Sequence, residues 1–93
     1  MHIANIKVSN TEWMNINDYL PIDLQPNTTY TINNISTNHL LYIVSEDYPE
    51  DKGCVLWSGD QLIFKRVLGD LWIATTQNSI HHNTCDIEIS EVE

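Results

Sequence analysis

Few residues in this chain can ligate a metal or attack a carbonyl. They are His2, His39, His81, His82, Cys54 and Cys85. His81, His82 and Cys85 lie close enough in sequence to share one ion. Zinc ligands, however, usually come in pairs spaced as C-x2-C or H-x3-H. Adjacent histidines on an extended chain also point to opposite faces. The expectation is two loop histidines and no metal. A cupin-like metal barrel would need His and Glu clustered on neighbouring strands, and that pattern is missing. A Cys–His nucleophile pair can be drawn from Cys54 or Cys85. Neither opens a helix or sits among cations that would lower its pKa. No G-x-S-x-G, H-E-x-x-H or phosphate-cradling glycine loop occurs. The sequence therefore assigns no catalytic residue, no metal ligand and no cofactor, and the protein reads as non-enzymatic.

Carboxylates are the abundant chemical group. Acidic side chains number 13 against 4 basic ones, a net charge of −9 in 93 residues. Phosphate contacts need Lys and Arg, so direct nucleic-acid binding is not expected. Docking on anionic lipid is disfavoured for the same reason. Glu46-Asp47 and Glu50-Asp51 border a long polar loop. They carry oxygens that calcium accepts, but without EF-hand spacing they read as a solvated acidic loop. Asn27-Thr28-Thr29 and Asn34-Ile35-Ser36 match the glycosylation sequon. No basic segment followed by a long apolar one opens the chain, so a signal peptide is not expected and the sequons read as chance matches. No apolar run approaches the ~20 residues of a membrane span. Cys54 and Cys85 leave a disulfide open, with two small buried thiols the simpler reading.

The three tryptophans are the candidates for recognition. Trp13 follows a turn and is expected to plug one end of the core. If Leu71 and Ile73 face inward, Trp72 faces outward. Trp57 alternates with Leu56 in a short strand. Exposed aromatics on a small domain often mark a partner interface, although packing at the rim of the core explains them too. Trp57 and Trp72 are the interface candidates.

The elements that must position these residues are strands. The chain holds 12 Ile, 8 Thr and 5 Val but only 2 Ala. β-branched residues fit a pleated, half-buried surface and lose rotamer freedom in helices. Ten Asn supply turns. Alternation predicts strands over 3–8, 28–35, 54–58, 61–68, 71–76 and 85–92. Residues 39–46 are nearly continuously apolar, which suits an inner strand. Residues 12–20 read as a loop with one helical turn, since Trp13, Ile16, Tyr19 and Leu20 lie near helical spacing. Ser36-Thr37-Asn38 is hairpin-sized, Gly59-Asp60 and Gly69-Asp70 are tight turns, and residues 77–84 are a polar loop. Seven or eight short strands with turns about every ten residues predict an all-β fold. We expect a single domain over 1–93, an antiparallel β-sandwich or jelly-roll-like small barrel.

The order of these features resembles one family. A Trp turn (Glu12-Trp13-Met14-Asn15-Ile16) leads to a strand with an N-x-S turn (Tyr30 to Ser36). An apolar strand follows (Leu40 to Val44), then a loop with Pro49 and Gly53, a Gly59 turn, the strand Leu71-Trp72-Ile73-Ala74, and a last strand from Asp86 to Val92. Over residues 9–92 this is similar to the small β-sandwich structural proteins of tailed bacteriophage virions. Trp57 and the strongly acidic surface depart from that pattern. The resemblance implies a decoration, neck or tail-associated protein, assembled into the virion in the host cytoplasm. Its partners would be capsid or tail proteins and its own copies, as a homo-oligomer. Two alternatives stand beside it. One is an acidic mimic of DNA that inhibits a host enzyme, with Asp86, Glu88, Glu91 and Glu93 as one partial outward row and Glu46, Asp47, Glu50 and Asp51 as another. The other is a carbohydrate-binding sandwich with Trp57 or Trp72 as a stacking platform.

Overall fold

β-branched residues alternating with polar ones set most of the strands. In the computed structural model, which describes residues 1–76 and 84–92, there are eight. They are β1 (His2–Val8), β2 (Met14–Asn15), β3 (Thr29–Asn34), β4 (Leu40–Ser45), β5 (Cys54–Leu56), β6 (Gln61–Lys65), β7 (Asp70–Ala74) and β8 (Cys85–Glu91). Among the described residues the one helical element is a 3-10 turn over Ile16–Tyr19. No helix there is long and apolar enough to cross a membrane.

The strands form two four-stranded antiparallel sheets, ordered β1-β8-β3-β6 and β2-β7-β4-β5. First pairs with last, second with seventh, third with sixth, and fourth with fifth. This is a long antiparallel hairpin rolled into two layers, the strand order of a jelly roll. Side chains between the layers are aliphatic: Ile32, Leu40, Leu71, Ile73, Ile87 and Ile89 are each no more than 1% exposed. Cross-strand neighbours on this inner face include Tyr30 with Phe64, and Ile32 with both Leu62 and Ile89.

Several sequence expectations need correction. The turn at Ser36-Thr37-Asn38 is not a hairpin, because β3 and β4 lie in different sheets. Only β4 and β5 are consecutive and paired, and the acidic loop 46–53 joins them. β5 stops at Leu56, because Trp57 already belongs to a turn: its carbonyl accepts from the Asp60 N–H at 3.0 Å. Gly59 sits third in that turn at φ +82, a backbone setting that glycine adopts without strain. β6 ends at Lys65 and β7 begins at Asp70, so the turn between them falls at 66–69. β2 had no readable signal, since two residues carry no period. The 3-10 turn that follows is capped by Asn15, whose Oδ1 accepts from Asn17 N–H at 3.0 Å.

Because most connections cross between sheets, their backbone groups lack ladder partners. Asparagine side chains fill that role. Asn34 is only 1% exposed at the end of β3. Its Nδ2 donates to the carbonyls of Asn38 (2.8 Å) and Leu56 (3.0 Å). Its Oδ1 accepts from Ser36 N–H (3.1 Å), Ser36 Oγ (2.9 Å) and Cys85 Sγ (3.2 Å). One amide thus ties β3 of one sheet to β5 of the other, and the asparagine of the sequon is buried although Ile35 beside it is exposed. Asn10 does the same for the β1–β2 connection. Its Nδ2 donates to Glu12 O (2.6 Å) and Ile73 O (2.8 Å), and its own carbonyl accepts from Thr75 N–H at 2.7 Å. No buried side-chain N or O among the described residues lacks a partner.

Replacing Asn34 by Ala strands two carbonyls and an amide in the interior. We expect a loss of about 3 kcal/mol, read as a fall of roughly 15 °C in the thermal midpoint. Asn34→Asp, which keeps the shape but turns both donors into acceptors, should lose at least as much.

Candidate functional site

Strand register assigns every side chain to an inner or an outer face, and the two outer faces differ sharply. On the β1-β8-β3-β6 sheet the outer face is polar. It carries Asn5 and Lys7 beside Glu88 and Asp86, then Thr31 and Asn33, with Ile63 on the β6 edge. On the β2-β7-β4-β5 sheet it is apolar except at one end, where Asn15, Ser45 and Asp70 lie. Leu41 lies between Ala74 and Val55, and Ile43 lies beside Trp72. One step along the same register, His39 meets Trp57, with ring centroids 5.4 Å apart. Trp57 and Trp72 therefore share one face of one sheet.

Trp72 points outward, since Leu71 and Ile73 are buried inside. It is nevertheless not an open platform. Tyr48 meets it edge-on at 5.6 Å, and its Nε1 donates to Ser45 O at 3.0 Å. The acidic loop 46–53 folds back over this face, with Pro49 buried beneath it. Trp13 holds the far side of the loop, donating from Nε1 to Asp51 O at 3.3 Å. Trp13 thus covers the outer face instead of plugging the core. Gly53 makes the approach possible. At φ +74, a Cβ there would stand 2.5 Å from Tyr42 O and 2.7 Å from the Trp13 ring.

Trp57 is different. It is 60% exposed, and among the described residues His39 is the aromatic ring that flanks it. Its position is fixed from beneath by Asn34, which binds Leu56 O, and by Ser58 Oγ, which donates to Ser36 O. Val55, 38% exposed, continues the apolar surface. Glu46, Asp47, Glu50 and Asp51 are all exposed on the covering loop. The result is a rigidly mounted aromatic side chain on an apolar sheet face that also carries an acidic loop. Apolar centre and charged surround are how protein interfaces are built.

The remaining candidates do not assemble into chemistry. Among the described residues, no three His, Cys, Asp or Glu side chains come together to hold a metal. His81, His82 and Glu93 lie outside the described residues. The proposed acidic row on β8 is broken. Asp86 and Glu88 are on the outer face, but Glu91 has the parity of the buried Ile87 and Ile89 and pairs with buried Tyr30. Lys7 also stands directly across from Asp86. A cleft of about 300 Å³ opens between Pro26, Glu46 and the 66–70 turn. Two of its charged groups already have partners: Arg66 pairs with Asp70 at 2.9 Å, and Asn15 Nδ2 donates to Asp70 at 2.9 Å.

The cysteines do not meet. Cys54 is exposed, Cys85 is buried, and both are free. Burial pushes the Cys85 thiol above its ordinary pKa; the Ser36 hydrogen bond opposes this and the nearby Asp86 charge adds to it. Burial also raises the Tyr42 phenol, helped by its neighbour Cys54. A raised pKa leaves less thiolate, so the Cys85 thiol is not activated as a nucleophile.

Compared with family models, curated proteins and solved structures, the chain finds no match. Strand order and sheet faces define it as an eight-stranded jelly-roll sandwich with one apolar outer face.

Two outcomes follow from this geometry. Trp72→Ala should cost about 2 kcal/mol of stability, as a half-buried ring with a satisfied N–H, whereas Trp57→Ala should stay within about 0.5 kcal/mol of the native protein. Urea unfolding distinguishes them. In native buffer at mildly alkaline pH, iodoacetamide should label Cys54 and spare Cys85, with both labelled after unfolding, as read by intact mass. The raised Cys85 pKa means its neutral thiol favours the fold. That stability is complete below the ordinary thiol pKa and is lost as pH rises through the raised one.

Proposed function

We propose that this domain is a non-enzymatic structural protein that binds other proteins through the outer face of its β2-β7-β4-β5 sheet. We further propose that it serves in the virion of a tailed bacteriophage, as a decoration, neck or tail component. The observation that carries the binding role is Trp57: 60% exposed, held in the turn that follows β5, with its ring beside His39. Large aromatics held this way dominate interface energetics, because they bury much surface with little rotamer loss. The acidic loop next to it favours a partner with a basic surround, and such charges steer docking more than they tighten it. The virion placement rests on the order of turns and strands over residues 9–92. It is in keeping with the jelly-roll strand order, which capsid proteins share with lectins, although a fold alone assigns no function. A capsid or tail position imposes rotational symmetry, so repeated copies around the particle belong to the same reading.

Quantitative mass spectrometry of purified virions tests this. A copy number near that of the major shell protein would place the chain on the head, and a small fixed number at the neck or tail. Incorporation of Trp57→Asp should fall roughly 30-fold or more, the effect of losing an interface hot spot. If the chain is abundant in infected cells but missing from particles, the structural role is wrong. If Trp57→Ala instead abolishes retention on a glycan column, the exposed ring serves sugar stacking.

A further inference from the structure

A jelly roll of two open sheets has four edge strands, and three of them are blunted here. β1 carries a register break between His2 and Ala4. β2 is two residues long. β5 is three residues long, and its Leu56 carbonyl is already taken by Asn34. Short length and irregular register are how proteins stop sheets from pairing edge to edge. β6 has neither. Its five residues, Gln61–Lys65, run in unbroken register with β3 and contain no proline. Ile63, at its centre, is 67% exposed. Among the described residues no strand pairs with its other side.

The free backbone groups can be named. Asn34 N–H donates to Asp60 O at 3.0 Å, and Arg66 N–H donates to Thr28 O at 3.2 Å. Even-numbered positions of β6 therefore face β3. In an antiparallel ladder the alternate residues face the opposite way. The N–H and C=O groups of Gln61, Ile63 and Lys65 thus line the open edge.

We propose that β6 pairs antiparallel with β6 of a second copy about a two-fold axis at Ile63, joining two four-stranded sheets into one. A segment pairs with itself when its sequence tolerates inversion about the centre. This one does. Ile63 faces Ile63, removing two exposed aliphatic side chains from water. Gln61 faces Lys65, so an amide meets an ammonium. One step further out, Asp60 faces Arg66, so opposite charges meet. No like charges stand opposite each other, although the chain as a whole carries −9. Ile63 meeting Ile63 is a hydrogen-bonded pair, and so is Gln61 meeting Lys65 on either side. The junction therefore gains about six backbone bonds. Face-to-face association through the other sheet would instead bring two acidic loops together. The edge pairing is independent of the partner-docking role proposed for that sheet.

Sedimentation velocity over a wide concentration range tests the pairing on the full chain. The native protein should form a dimer, and Ile63→Lys should be monomeric, because it sets two ammonium groups against each other. Ile63→Lys alters only an outward side chain on an edge, so its circular dichroism and unfolding midpoint should match the native protein. Trp57→Ala should still dimerise, which separates this surface from the docking face. Register is tested in a Cys54→Ser background. Ile63→Cys places two thiols across the axis, with Cα atoms about 5.5 Å apart, within disulfide reach. It should cross-link on mild oxidation, whereas Gln61→Cys should not. A native protein that stays monomeric at every concentration overturns the proposal. So does a dimer that survives Ile63→Lys, or cross-linking that is equal at positions 61 and 63.

Discussion

The Asn34 amide is the interaction on which the rest of this structure depends. Rolling one long hairpin into two sheets sends nearly every connection across the core, where ladder hydrogen bonds run out. An unpaired buried peptide group is costly, so each crossing needs a local partner. Asn34 meets that need at the most crowded crossing. It binds the β3–β4 turn through Asn38 and Ser36, the end of β5 through Leu56, and the start of β8 through Cys85. Asparagine suits the task because a single planar group offers two donors and an acceptor with two lone pairs. Asn10 and Asn15 repeat the device elsewhere, at the β1–β2 connection and before the 3-10 turn.

That anchoring has a functional consequence. The turn that presents Trp57 rests directly on the Asn34 knot, since the Gly59 N–H donates to Asn34 O at 2.8 Å. A large aromatic side chain is thereby held out in solvent on a framework that cannot easily yield. Preorganisation of this kind reduces the ordering cost of binding. Trp72 shows the opposite use of the same residue type. It lies on the same face, but Tyr48 and the Ser45 carbonyl absorb its ring and its N–H. The protein covers one part of its apolar sheet with its own loop and leaves another part open.

The two sheets also divide the work of managing exposure. The β1-β8-β3-β6 sheet is wetted by Asn, Thr and charged side chains on its outer face, so the unpartnered surface it offers is its β6 edge. The β2-β7-β4-β5 sheet carries Leu41, Ile43 and Val55 outside, so what it offers is a face. An edge recognises backbone and tolerates little sequence choice. A face recognises side chains and shape. A small domain with one of each has two non-overlapping surfaces, one for the docking and one for the pairing proposed above.

The all-β class and most strand positions were legible in the sequence, because period-2 alternation and β-branched composition are local properties. That Tyr30 shares a face with Ile32, and Leu62 with Phe64, follows from the same alternation; that both faces point inward is seen in the structure. Outward Trp72 followed from its neighbours. What the sequence could not determine was which strands pair. Ser36-Thr37-Asn38 has hairpin length, yet it crosses between sheets, because pairing is set by contacts between residues far apart in the chain. Nor could spacing distinguish Trp57 from Trp72. Both alternate outward, and only the return of loop 46–53 over the sheet covers one and not the other. Trp13 was misplaced by the same blindness: its partner, the Asp51 carbonyl, is distant in sequence and carries no side-chain signal. Asn34 stands out in the sequence only as part of a chance sequon match, because nothing local distinguishes an amide that will be buried. Local pattern determined the strands and their faces. The closing of the sheets decided which faces and edges remained free to act.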